Sequence, residues 1–232
     1  MDSVVVSIGG SFLVGPNGVD LNLTREIAAV LKRVAGENRR VFAVVGGGAV
    51  ARTYIEAARQ LGQDESSLDD LGIDITRINA RILIAALGKD AYPRPPQSFD
   101  EALLASRSFP LVIMGGTHAG HTTDAVTTMM AEKAKAQRII IATNVDGVYD
   151  SDPKQNPQAK RLTELSSEQL VDITIRGRVQ AGSPGVVDPM AAKIIARSGI
   201  ETAVVKGTDL KSLEAALLGR RDFNGSLVKG AK

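Results

Sequence analysis

Three apolar runs in this chain stop at glycine: residues 4–8 at Gly9-Gly10-Ser11, residues 41–45 at Gly46-Gly47-Gly48, and residues 111–114 at Gly115-Gly116-Thr117. One such stop is an ordinary tight turn from a strand into a helix. Three of them, at the ends of strands in a parallel sheet, would lie along one edge. Helix N-termini there offer unpaired N–H groups and the positive end of the helix dipole, and glycine lets a ligand approach that backbone closely. The chemistry this arrangement favours is phosphate binding.

The densest polar stretch is 115–124, Gly-Gly-Thr-His-Ala-Gly-His-Thr-Thr-Asp. It gathers the hydroxyls of Thr117, Thr122 and Thr123, the imidazoles of His118 and His121, and the Asp124 carboxylate around Ala119 and Gly120 at a helix start. It reads as a phosphate and substrate loop, while Thr122 or Thr123 as cap and Asp124 as dipole-compensating acid would suit any helix start. His118 and His121 are the two histidines of the chain, and a metal site built on them has no third ligand at a readable spacing. Asp146, Asp150 and Asp152 do not follow the alternation of a calcium loop, and residues 149–153 have turn chemistry. Asp188 opens a helix that presents Lys193 roughly one turn later; capping and a solvated face are their plain explanations. Neither the G-x-x-x-x-G-K-[ST] loop nor the G-x-G-x-x-G fingerprint nor the motif pair of protein kinases occurs, so phosphate chemistry here requires another architecture.

Patterning along the chain supplies a scaffold for these groups. Leu23, Ile27, Val30, Leu31 and Val34 recur at helical spacing between a cap at Asp20 or Asn22 and a stop at Gly36. Val50, Tyr54, Ala57 and Leu61 continue as a helix to Gly62. Leu68, Leu71, Ile75, Ile78, Ile82 and Ala86 predict one long amphipathic helix over residues 66–87, with Asp69, Thr76 and Asn79 on its other stripe. Pro93, Pro95 and Pro96 mark a loop. Residues 138–142 form a further strand, followed by a helix at 188–197, a strand at 202–205, a helix at 210–218 and a candidate edge strand at 226–228. Buried strands alternating with amphipathic helices predict an α/β fold, a three-layer αβα sandwich with a largely parallel central sheet. No low-complexity linker divides the chain, so one domain over residues 1–232 is expected.

The bulk composition fits this and excludes other classes. Of 232 residues, 44% are hydrophobic and 23% charged, enough for a substantial core. The 28 basic and 26 acidic residues are scattered, which points to neither nucleic acid nor membrane as partner. Aromatic residues are too few, at 3%, for recognition by base stacking. Cysteine is absent, which removes disulfides, thiolate catalysis and cysteine-based zinc sites. The apolar start is too short for a signal peptide, and no stretch approaches the roughly 20 apolar residues of a membrane helix, so a cytoplasmic location is expected.

Val44-Val45-Gly46-Gly47-Gly48 followed by Ala51-Arg52 resembles the second glycine loop of the amino-acid-kinase superfamily. Residues 115–126, residues 142–149 (Ala-Thr-Asn-Val-Asp-Gly-Val-Tyr) and residues 188–193 (Asp-Pro-Met-Ala-Ala-Lys) are similar to archaeal-type uridylate kinases, and the resemblance spans essentially the whole chain. It implies transfer of the ATP γ-phosphate to UMP with Mg²⁺, in pyrimidine nucleotide biosynthesis, by an acceptor lobe at about 1–140 and an ATP lobe at about 141–232. Gly10, Ser11, Gly48 and Arg52 would lie along the ATP phosphates, with Thr143, Asn144, Tyr149 and Asp152 on the adenosine. Gly47, Asp69 and the loop Thr117, His118, Ala119, Gly120, His121, Thr122 and Thr123 would hold UMP, Asp69 reaching the ribose. Asp124 would orient the cationic groups around the transferring phosphoryl, with Lys193, Asp188 and Arg52 close by.

The resemblance further implies a homohexamer built as a trimer of dimers, and inhibition by UTP in the acceptor site. UMP is a phosphate monoester whose second ionisation, near pH 6, leaves it largely dianionic at neutral pH. No general base is then needed, and catalysis rests on positioning and on charge stabilisation. Two departures stand out: Ser7 occupies a place where many superfamily members carry lysine, and Ala119 one where proline is frequent. A kinase for another small phosphate, such as isopentenyl phosphate, is the neighbouring reading. A nucleotide-binding regulator without turnover is the other, and Ser7 is the feature that motivates it.

Overall fold

A computed structural model describes residues 2–15, 18–151, 156–177 and 186–230. The chain opens with β1 (Asp2–Ile8), α1 (Gly10–Leu13) and the small pair β2 (Val14–Gly15) and β3 (Gly18–Val19), and continues into α2 (Leu21–Gly36). Asp20 is the cap of α2, its carboxylate accepting the Leu23 N–H at 3.0 Å. Next come β4 (Arg39–Val45), α3 (Gly48–Gln60) and α4 (Glu65–Leu87), the long helix expected at 66–87. Asp64 caps α4, and Gly88, at φ +63°, ends it.

The chain proceeds through α5 (Phe99–Ala105), β5 (Leu111–Met114), α6 (Thr123–Lys133) and β6 (Arg138–Thr143), then the short strands β7 (Val148–Tyr149), β8 (Arg161–Leu162) and β9 (Glu164–Ser166). The last elements are α7 (Ser167–Gly177), α8 (Pro189–Ser198), β10 (Glu201–Lys206), α9 (Leu210–Leu218) and β11 (Gly225–Lys229). Tyr149 therefore closes a strand paired with β8 instead of opening a turn. Pro153, where that turn was expected to end, lies outside the described residues.

Seven strands form one sheet in the order β5-β4-β1-β6-β10-β11-β9. Every neighbouring pair is parallel except β10 with β11. Both faces are covered, which is why the strands read as unbroken apolar runs. On one face Val4, Val6, Ile8, Ala43 and Ile140 pack with residues of α2, α4 and α9. On the other, Val5, Phe42, Val44 and Ile141 pack with residues of α5, α6 and α8. The result is the expected three-layer sandwich. Its register sets Ile8 beside Val45 and Ala142, and Val44 beside Met114, so β5, β4, β1 and β6 end in step.

Candidate active site

Because β5, β4 and β1 are neighbours, their three glycine stops share one edge of the sheet. Gly10 and the β4 loop touch backbone to backbone. A Cβ on Gly10 would overlap the Gly46 carbonyl and lie 2.6 Å from the Gly48 nitrogen. The Gly46 N–H donates to the Ile8 carbonyl at 2.9 Å, and Gly48 opens α3 at φ +65°. The polar stripe of α4 fixes both neighbouring loops. Asn79 Nδ2 donates to the carbonyls of Gly46 (2.9 Å) and Gly47 (3.1 Å). Thr76 Oγ1 donates to Ile73 O and accepts the Gly116 N–H at 2.7 Å.

The same helix walls a cavity of about 210 Å³ together with α3 and the 117–123 loop. Asp69, Gly72, Ile73 and Thr76 follow one another at three-four spacing along its wall, and Ile55 and His121 face them. Asp69 Oδ2 accepts the Gly120 N–H at 2.7 Å, tying the loop to the helix. The loop turns through His118–His121, the His121 N–H donating to the His118 carbonyl at 3.3 Å with Gly120 at φ +81°. Glycine at the third place and a proline-favouring second place describe a type II turn, and Ala119 occupies that second place. The departure from proline therefore loosens the loop without altering its path. Thr117 Oγ1 and His121 Nδ1 are buried and have no hydrogen-bond partner among the described residues. Each such group costs about 1–3 kcal/mol until something engages it, and of the two His121 lines the cavity.

At the end of β1 two helix starts converge. Thr122 caps α6, accepting the Ala125 N–H at 3.1 Å, and donates its hydroxyl proton to Asp188 Oδ2 at 2.7 Å. Asp188 caps α8 through the N–H groups of Met190 (2.9 Å) and Ala191 (3.1 Å). Asp124, in the first turn of α6, accepts the Ser7 hydroxyl on Oδ1 at 2.6 Å. Burial pushes the Asp124 carboxyl up to about 6, the Ser7 hydroxyl pulls against that, and the negative charge of Asp188 adds to the rise. Lys193 and Arg52 stand exposed on α8 and α3, with no hydrogen bond or ion pair from either side chain among the described residues. The geometry thus unites Asp124 with Asp188 and leaves the two cations in solvent.

Beyond β6, Thr143 is partly buried and its carbonyl accepts the Gly207 N–H at 2.9 Å, while Asn144 is exposed. The Tyr149 hydroxyl donates to Asp146 Oδ1 at 2.8 Å, and Arg161 Nη1 reaches Asp146 Oδ2 at 2.7 Å. Burial works to raise the Asp146 carboxyl, but Tyr149, the local backbone and Arg161 outweigh it and hold it below the ordinary range. Asp152 lies outside the described residues. Ser11, beside Gly10, is partly exposed at the same edge.

Sequence reasoning missed Ser7 as the partner of Asp124, Gly72 and Ile55 as cavity walls, and Arg161. The repeat Asp69, Gly72, Thr76, Asn79 along one helix face was the available signal for Gly72. No group of three or more metal-ligating side chains occurs among the described residues, and the histidine pair gains no third ligand. A larger groove of about 710 Å³ lies along β9 and β11, away from the glycine loops. Of its charges, Arg221 pairs with Glu201 and Lys229 with Glu164, both at 2.6 Å, and Arg161 pairs with Asp146 at 2.7 Å.

Comparison with known proteins agrees with this geometry. The model of the amino acid kinase family matches residues 2–206. A uridylate kinase from Thermococcus onnurineus is 47% identical over 97% of this chain and 99% of its own length. One from Methanocaldococcus jannaschii is 44% identical over 98% and 99%. The crystal structure of uridylate kinase from Archaeoglobus fulgidus superposes with a TM-score of 0.86 at 43% identity, covering 98% of this chain and all of that one.

Proposed function

The chain belongs to the amino acid kinase family, and on that premise we propose that it is a uridylate kinase, transferring the γ-phosphate of ATP to UMP to give UDP and ADP. The observation that carries this reading is the cavity between α4 and the 117–123 loop. It opens at the glycine-lined sheet edge and is lined by the Asp69 carboxylate and by His121, whose Nδ1 has no hydrogen-bond partner among the described residues. Asp69 is placed to accept from a ribose hydroxyl, at the expense of its bond to Gly120. Thr117 and His121 meet the polar parts of the same ligand. These groups favour a hydroxylated nucleotide over an isoprenoid phosphate.

The acceptor phosphate already carries the nucleophilic oxygen, so this chain's residues position and stabilise. N–H groups at Gly10, Ser11 and Gly48 line the donor phosphates, and the N-terminal ends of α1, α3 and α6 add favourable dipoles. Arg52 and Lys193, free of partners, fold onto the phosphates when substrate arrives, with Asp124 orienting them and Asp188 fixing the start of α8. Thr143, Asn144, Tyr149 and Asp152 border the adenosine. Mg²⁺ arriving with ATP would supply charge neutralisation. The described residues form no cluster of three ligating side chains, which suits an ion that enters with its substrate.

On this reading the acceptor lobe covers about residues 1–140 and the ATP lobe about 141–232. The enzyme acts as a cytoplasmic homohexamer that UTP inhibits from the acceptor site. No helix among the described residues is long and apolar enough to cross a membrane.

Coupled ADP release with MgATP and UMP, CMP, isopentenyl phosphate or carbamate tests the assignment. UMP should support turnover far above the others. Absence of ADP with UMP, despite measurable UMP binding, would replace the kinase by a nucleotide-binding regulator.

Gly72 offers a second test. A Cβ there would meet only the flexible Cδ1 of Ile55, at 3.2 Å. Gly72→Ala gains about 1 kcal/mol of helix propensity, so the melting temperature should hold or rise. The added methyl narrows the cavity, and overpacking of roughly 1–3 kcal/mol should raise the UMP KM about 5- to 150-fold with kcat less affected. Steady-state kinetics with calorimetry of UMP binding reads both.

A further inference from the structure

In the cross-strand row formed with Met114 and Val44 on one side and Ile141 and Val204 on the other, Ser7 is polar and its four neighbours are apolar. The register sets it directly beside Val44 and Ile141, both fully within the core on that face. Its side chain is 3% exposed. A hydroxyl in such a place is destabilising unless it is hydrogen-bonded. Among the described residues its one side-chain hydrogen bond is to Asp124, 117 positions away in sequence, at 2.6 Å. That length lies within the range of a hydroxyl donating to a carboxylate. A neutral donor is all that this site provides. The elements packed on the start of α6 bring Ser7 from β1, apolar Val44 from β4, apolar Ile141 from β6 and the acidic Asp188 from α8, and no cation among the described residues.

We propose that Ser7 is a positioning residue of the phosphoryl-transfer centre, its hydroxyl holding the Asp124 carboxylate by Oδ1 so that Oδ2 stays turned to the cations on the transferring phosphate. The inference rests on the kinase reading for its catalytic consequence, but the Ser7–Asp124 bond itself does not. Ser7 also acts on the charge state of Asp124. Its donated hydrogen bond favours the ionised form against burial and against the charge of Asp188, and the Asp188 backbone N–H acts on the same side as Ser7 to a smaller extent.

The test replaces the hydroxyl and follows Asp124 twice. In Ser7→Ala, the carbon-13 titration of the Asp124 carboxyl in the free protein should move upward by about one to two pH units, the loss of one hydrogen bond to a charged group. The acid limb of kcat against pH, with MgATP and UMP, should move with it, while the KM for UMP stays within about twofold. Ser7→Cys, of similar size and weaker donor strength, should fall between. In an Asp124→Asn background Ser7→Ala should cause no further fall in kcat, since the two act as one unit.

An Asp124 titration unmoved in folded Ser7→Ala overturns the proposal, as does full additivity of the two substitutions. Should the wild type show no turnover with UMP, the kinase reading fails by itself, and the carboxyl titration still decides whether Ser7 governs Asp124. Circular dichroism of each variant establishes that it is folded. If Ser7→Ala does not fold, Ser7→Cys carries the same two readouts.

Discussion

Gly10→Ala will both unfold more easily and lose turnover. The added Cβ would overlap the Gly46 carbonyl and sit 2.6 Å from the Gly48 nitrogen, and both obstacles are backbone, which has no flexible end to swing aside. Gly10 does not need a left-handed conformation; it is required because two loops touch. Relief comes only from separating the β1 and β4 loops, which Asn79 holds from behind through Gly46 and Gly47. Overpacking of this sort costs about 1–3 kcal/mol or more. On the proposed kinase reading the functional loss should be greater, because the N–H groups of both loops would serve the same phosphates and a misplacement near 1 Å costs about 100-fold in rate. Thermal denaturation and kcat/KM for ATP measure the two effects. Gly36→Ala, where a Cβ meets nothing within 4 Å, is the control and should be near neutral. An active, normally stable Gly10→Ala enzyme would remove the tight glycine contact from the account of phosphate binding.

The contrast between these two glycines shows where sequence reading succeeds and stops. The strands at residues 4–8, 41–45 and 111–114 were legible because burial on both faces leaves continuous β-branched runs, and their glycine stops were legible because they repeat. That Gly10 is pressed against Gly46 was not. It follows from β1 lying next to β4 in the sheet, a product of tertiary packing that no local pattern records. The α4 stripe was likewise legible as amphipathic. Its division of labour was not: Asp69 and Gly72 face the cavity, Thr76 both lines it and braces the Gly116 loop, and Asn79 braces Gly46 and Gly47. α5 spans only seven residues and β9 three, too few to establish a period. Asp124 announced itself by its place in a polar loop at a helix start. Ser7, its partner, looked like a missing lysine because its meaning depends on a residue 117 positions away.

Asp124→Asn should separate activity from stability in opposite directions. On the proposed kinase reading activity falls, because a neutral amide would no longer orient Lys193 and Arg52 toward the phosphoryl group. Loss of one preorganised charge typically lowers kcat by about 10²- to 10³-fold, whereas UMP affinity, set by the cavity along α4, should change only a few-fold. Stability should rise. The folded protein raises the Asp124 carboxyl from an ordinary 3.8 to about 6, so between those values the folded state binds the proton more tightly than the unfolded chain. The native fold therefore gains stability from this group as pH falls from about 6 toward 4. Above about 6 the carboxylate is ionised in both states and the full burial penalty is present. Asparagine carries no charge to desolvate and can still accept the Ser7 hydroxyl. The variant should be more stable than wild type at pH 8 by up to about 3 kcal/mol, the upper bound set by a two-unit shift, and the advantage should vanish near pH 4. Denaturant melts at pH 8, 6 and 4 trace this window. A less stable variant at pH 8, or one with unimpaired kcat, contradicts the assignment. The expected result would mean that the protein keeps an unfavourable charge where two helix starts meet because phosphoryl transfer requires it there.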